Sequence, residues 1–266
     1  MERLHLTDPS GPLVPHHPLR SKVIDCFSSS WKRASPHHTM RAVEFLTSIY
    51  DRFRAAGLAD PHFEKELASG KADTYAQKVA ELLLADMLWN DGFSLESSPQ
   101  GPDFYVSKGG KSAWLELHTP IPNGVPSTLF TGSGGVMGFP HEKINLRWTN
   151  AISEKARKLE GYLEKGIVRP DDGYVIVVNS SLLAPGPSGG LHGVSQFPVP
   201  VEVLFGVGPI EVEIDRVTGE ILDQRNQHRP MITKSPTVGV PADTFLDKKF
   251  TAVSAVLGFL SESKKD

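Results

Sequence analysis

The sequence predicts a mixed α/β fold, with a central mixed sheet flanked by helices and an N-terminal helical extension. Three observations carry that expectation. Apolar residues recur at helical spacing over 39–56, 73–90 and 146–165, alternation of period two flanks Gly109–Gly110, and GYVIVVN (173–179) is a near-continuous apolar run. Helical and strand periods interleaved along one chain are what layered α/β structures require.

The elements follow in order. Residues 1–38 read as an irregular arm, and the pairs His16–His17 and His37–His38 as solvated, because adjacent side chains point apart. The stretch 39–56 is a helix with Val43, Leu46, Ile49, Tyr50 and Phe53 on one face and Gly57 as its stop. The stretch 73–90 is a second helix; its centre, VAELLLADMLW, is apolar on nearly every side and so should be buried. Residues 1–70 are taken as arm and helical extension, and 71–266 as the core.

DFYVSKGGKSAWLELH then reads as two strands joined by a two-residue Gly-Gly turn. Residues 119–140 form a loop of 22 residues rich in Gly, Pro, Ser and Thr, a length usually kept for function. A helix from Leu146 to Lys165 ends at Gly166, and 173–179 has the pattern of a strand covered on both faces. Residues 184–200 are loose. VEVLF and IEVEID read as strands, VEIDRVTGEILD as a hairpin turning at Thr218–Gly219, and FTAVSAVLGFL (250–260) as a closing helix.

Composition narrows the function classes. The 266 residues, 39% hydrophobic and 22% charged, suffice for a sizeable core without staples. The single cysteine, Cys26, excludes an internal disulfide and a multi-cysteine zinc site, and fits a reducing compartment. No stretch has the roughly 18 apolar residues that span a bilayer, and MERLHLTDPSGPL lacks the apolar region of a signal peptide. A cytoplasmic protein without a membrane partner is expected. A net charge of -3 argues against a protein that coats nucleic acid nonspecifically. A local basic patch or a bound cation is still compatible with that charge.

The hairpin carries the chemistry. With Gly109–Gly110 as turn residues, Lys108 pairs with Lys111, Val106 with Ala113, Tyr105 with Trp114, Phe104 with Leu115 and Asp103 with Glu116. Phe104, Val106, Leu115 and Leu117 then share one face, and Asp103, Tyr105, Trp114, Glu116 and His118 the other. Opposed carboxylates repel unless a proton, a cationic side chain or a metal intervenes, and hard divalent cations take oxygen ligands of this kind. A solvated strand face with an accidental acid pair is the plainer alternative. Glu81, mid-helix among leucines, either reaches water beside Lys78 or faces these acids. Lys155 lies on the apolar stripe of Trp148, Ile152, Leu159 and Leu163, so it either snorkels outward or points at the sheet. Arg147, after the long loop, is a candidate contact for a phosphate.

These residues resemble the PD-(D/E)XK superfamily of restriction-endonuclease-like nucleases. Its motif is a helix glutamate, a Pro-Asp pair, E-x-K on the next strand and a following helix that can add a lysine. Glu81 stands at the first position, Pro102–Asp103 at the second, Glu116–Leu117–His118 at the third and Lys155 in the helix. The likeness spans about residues 72–180. It implies a restriction-endonuclease-like core, with Mg²⁺ or Mn²⁺ held by Asp103 and Glu116 and Glu81 as a further ligand. It also implies a nuclease whose partner is nucleic acid, DNA ahead of RNA, and it allows a homodimer. His118 replaces the expected lysine, so His118 and Lys155 share the task of ordering water or stabilising charge. The alternative is an inactive nuclease-like fold that binds or regulates. GSGG (132–135) and PSGG (187–190) lack the lysine and hydroxyl residue of a phosphate loop, and no serine sits in a nucleophile elbow.

Overall fold

A computed structural model describes residues 19–30, 35–131, 138–184 and 190–260. His16–His17, GSGG (132–135) and most of PSGG lie outside them. The chain divides into two compact units, Met1–Tyr75 and Ala76–Asp266.

The first unit holds α1 (Arg20–Ser30), α2 (Pro36–Ala55) and α3 (Pro61–Leu67). The expected irregular arm is therefore helical over 20–30, where Val23 and Phe27 are fully buried one turn apart. Helix α2 begins three residues before the expected start. The Ser35 side chain accepts the His38 N–H, and Pro36 sits in the first turn, where its missing N–H costs nothing. His37 and His38 thus belong to a helix, not an arm. Gly57, at φ 74°, ends α2 as expected. Asp60 caps α3 through the Phe63 N–H at 2.6 Å, and the Phe53 and Phe63 rings stack 4.8 Å apart.

The unit boundary falls within α4 (Ala72–Asn90). This helix buries a stripe of Ala80, Glu81, Leu82, Leu84 and Ala85, while Met87 is exposed. It is amphipathic in use rather than buried all round. Next come β1 (Ser94–Glu96), β2 (Phe104–Lys108), β3 (Lys111–His118), the short α5 (Thr128–Thr131), α6 (His141–Glu164) and β4 (Gly173–Asn179). They are followed by α7 (Val199–Phe205), β5 (Val207–Ile214), β6 (Ile221–His228), β7 (Met231–Ser235), β8 (Val238–Pro241) and β9 (Ala255–Phe259).

The central sheet has five strands in the order β1-β2-β3-β4-β9. It is antiparallel from β1 to β3 and parallel from β3 through β4 to β9. The protein is thus a mixed α/β molecule with a mixed sheet flanked by helices. The β2–β3 register is the expected one, Phe104 with Leu115 through Lys108 with Lys111. Gly109 and Gly110 both have positive φ (59° and 74°), the conformation a tight hairpin of right-twisted strands needs. Crossing from β3 to a parallel β4 requires a long connection, which α6 supplies. Tyr174, Ile176 and Val178 join Ile144, Trp148, Ile152 and Tyr162 of α6 in one core.

Three expectations are corrected here. Helix α6 starts at His141, not Leu146, which places Arg147 in its second turn rather than at its opening. VEVLF is helical: Pro200 lies in the first turn of α7 and Gly206, at φ 65°, closes it, so local turn chemistry overrides the β propensity of valine. The 250–260 segment is a short 3₁₀ turn followed by strand β9, which satisfies the open edge of β4. The Thr218–Gly219 hairpin forms between β5 and β6, with Gly219 at φ 76°.

Helix α7 also buries a charge. Glu202 Oε1 accepts the Ser195 N–H at 2.7 Å and its hydroxyl at 2.6 Å, and Oε2 accepts from Asn145 Nδ2 of α6 at 3.0 Å. Gly193 lies against this carboxylate, and a Cβ there would overlap it. Among the described residues no helix is long and apolar enough to cross a membrane.

Candidate active site

The site gathers where β2 begins against the later part of β3, under α6. Because Glu116 pairs with Ile176, its side chain projects to the face that α6 covers, and it is 1% exposed. A carboxylate so buried needs partners. Lys155 Nζ lies 2.9 Å and Lys158 Nζ 2.7 Å from its Oε1, and the Tyr162 hydroxyl lies 3.2 Å from Oε2. Lys155 does not snorkel outward. At 12% exposure it points to the sheet, whereas Lys158, at 48%, also reaches solvent. The residues come from one stripe of α6, since Lys155, Lys158 and Tyr162 follow one another at three- and four-residue intervals.

Asp103 stands one residue outside β2 rather than in a regular rung, because the ladder ends at Phe104–Leu115. Its Oδ2 accepts the Leu117 N–H at 2.7 Å, so the side chain supplies the ladder's next acceptor. Burial raises its pKa to about 7, helped by the nearby Glu81 and Glu116 charges and opposed by the Leu117 N–H and Lys155. Asp103 therefore holds its proton to a higher pH than an ordinary carboxyl, as expected of a buried acid among like charges.

Glu81 does not reach water: it is buried, and it keeps the Lys78 partner while facing the acids. It pairs with Lys78 at 3.0 Å and also bears electrostatically on Asp103. Gln77, one helical turn earlier, donates to Glu81 Oε1 at 3.1 Å and accepts the Thr119 N–H at 2.7 Å, which ties α4 to the end of β3. His118 is pushed below its ordinary pKa, first by burial and then by Lys155 and Arg147, against the pull of Glu154 and Glu116. It is an uncharged imidazole at neutral pH and so can accept a hydrogen bond. Arg147 bears on His118 as a nearby positive charge, and its Nε is buried without a hydrogen-bond partner among the described residues.

The structure thus brings Asp103, Glu116, Lys155 and Glu81 into one electrostatic cluster, with His118 beside Lys155. Sequence reasoning missed Lys158, Tyr162 and Gln77. The first two carried a usable signal, being three and seven residues beyond Lys155 on the same helical stripe. Among the described residues no group of three or more His, Cys, Asp or Glu side chains stands at metal-binding spacing. Comparison with protein-family models, with curated proteins and with solved structures finds no match.

Proposed function

We propose that this protein is a metal-dependent phosphodiesterase of restriction-endonuclease-like fold, acting on nucleic acid, DNA ahead of RNA. The observation that carries the reading is the buried Asp103 carboxyl, its pKa raised by burial and by Glu81 and Glu116, beside the Lys155–Glu116 pair. Clustered acids with shifted pKa values are more frequent at catalytic sites than elsewhere. The succession helix, three antiparallel strands, helix, parallel strand (α4, β1–β3, α6, β4) supports it, because it delivers the motif residues in the expected order.

The donor set suits a hard divalent cation by type. Three carboxylates supply oxygen ligands, and the proton that Asp103 retains is one that a cation would displace. Asp103 and Glu116 would hold Mg²⁺ or Mn²⁺, with Glu81 as a further or outer ligand. Bound there, the cation supplies water activation and neutralises phosphate charge. Lys155, held in place by Glu116, keeps a positive charge at the reacting phosphate. Neutral His118 accepts a proton from the attacking water or orients it. Arg147 is assigned a contact with substrate phosphate.

One observation favours a second reading, an inactive fold used for binding or regulation: both ammonium groups already sit on Glu116 Oε1. Metal separates the two. A ligand selective for the folded state raises the melting temperature, with a stabilisation that grows as the logarithm of ligand concentration over Kd. Millimolar Mn²⁺ is expected to raise the melting temperature and to support cleavage of a DNA and RNA panel, and EDTA is expected to stop that cleavage. Full cleavage by the Asp103→Ala/Glu116→Ala double variant would overturn the nuclease reading. A melting temperature indifferent to Mn²⁺, without cleavage, would leave the binding module.

A further inference from the structure

Beside the acids lies a cleft of about 410 Å³ with an unusual charge balance. Arg157, Lys158 and Lys165 line it, together with Gln100, Gly101 and the Tyr162 ring, and no Asp or Glu side chain faces it. Arg157 and Lys165 are exposed, and among the described residues neither forms an ion pair. Lys158 is committed to Glu116, and the Tyr162 hydroxyl binds both Glu116 and the Gly101 carbonyl, at 3.2 and 3.1 Å. The cleft therefore shares a wall with the carboxylate site. In a chain of net charge -3, three cations around one hollow make a local inversion of sign. Cations at such spacing gain little from one another and much from a common anion.

We infer that this cleft is a phosphate-binding subsite, in which Arg157 and Lys165 grip the backbone of a polynucleotide that continues toward Glu116. Arg157 offers a planar fork that matches a phosphate through two parallel hydrogen bonds. Lys165 adds a point charge at the end of α6. Gln100 adds a neutral amide donor to the same cleft. The subsite deepens the nuclease reading by naming where the substrate backbone runs; binding of the anion requires neither metal nor cleavage.

The test is calorimetric titration in EDTA, so that binding is read without turnover. An oligothymidylate octamer is titrated into the full chain, into Arg157→Ala/Lys165→Ala, and into Lys22→Ala/Lys65→Ala. The last variant loses the same net charge from exposed positions of the first unit. The cleft variant is expected to bind at least tenfold more weakly. Its salt slope should fall by about 1.4, at ~0.7 for each lost phosphate contact to a single strand. Inorganic phosphate is expected to compete with the octamer in the parent chain. Equal weakening in both double variants, or none in the cleft variant, overturns the subsite. Phosphate binding without octamer binding overturns the polynucleotide as its occupant. Octamer binding without Mn²⁺-dependent cleavage sinks the nuclease reading while the subsite stands.

Discussion

Asp103→Asn is expected to cut Mn²⁺-dependent cleavage severely while raising the melting temperature at pH 8. The two effects share one cause. The Asp103 carboxyl has a pKa of about 7 in the fold against 3.8 for an unperturbed side chain. Below about pH 4 both states carry the proton. Between about 4 and 7 the unfolded chain releases it and the folded chain keeps it, so this group makes stability fall as pH rises. Above pH 7 the charge must be held against burial and against Glu81 and Glu116. Asparagine keeps an oxygen for the Leu117 N–H and carries no charge, so the variant's advantage should grow from pH 5 to 8 and then level off. Cleavage should drop by about 10²–10³-fold, the loss of ~3–4 kcal/mol of transition-state stabilisation. Melting curves that stay parallel over pH 5–8, or cleavage within twofold of the parent, would contradict this account.

Gly193→Ala should produce the largest loss of stability of the substitutions considered, about 3–5 kcal/mol, the scale for a buried charge deprived of its partners. The new methyl overlaps the Glu202 carboxylate, which is itself 3% exposed. A flexible carboxylate normally swings aside at little cost. This one is held by both donors of Ser195 and by Asn145, so moving it breaks three hydrogen bonds in the interior. The cost therefore belongs to Glu202 rather than to the glycine backbone. A double-mutant cycle with Glu202→Ala checks this: in that background Gly193→Ala should cost less than about 1 kcal/mol. Urea midpoints read both values, and strict additivity would refute the assignment.

How far the molecule could be read in advance depended on whether the deciding interaction was local. The Gly109–Gly110 hairpin was legible to the residue, because two adjacent positive-φ positions set the register of both strands. Alternation placed Glu116 on the face opposite Leu115 and Leu117, but its burial there depends on α6 crossing that face, which the hairpin does not encode. Helix α7 was not legible in the same way: valines favour strands, and the prolines that start the helix weighed too little against them. Strand β9 was hidden because its role is set by β4, 80 residues earlier, where the Tyr174 N–H meets the Ser254 hydroxyl. Within the site, the acids stood out by type. Lys158 and Tyr162 did not, because a lysine and a tyrosine on a helix surface have many ordinary roles until a buried carboxylate is found beneath them.

The late position of β9 has a consequence for biosynthesis. Strand β4 is covered on both faces, yet one of its edges stays unsatisfied until Ala255–Phe259 leave the ribosome. Closing so long a loop is entropically slow, and an open, apolar edge in the interval invites pairing with another nascent chain. A chain terminated just before Ala255 should accordingly partition into the insoluble fraction, and supplying a synthetic peptide of residues 252–260 during refolding should return part of it to solution.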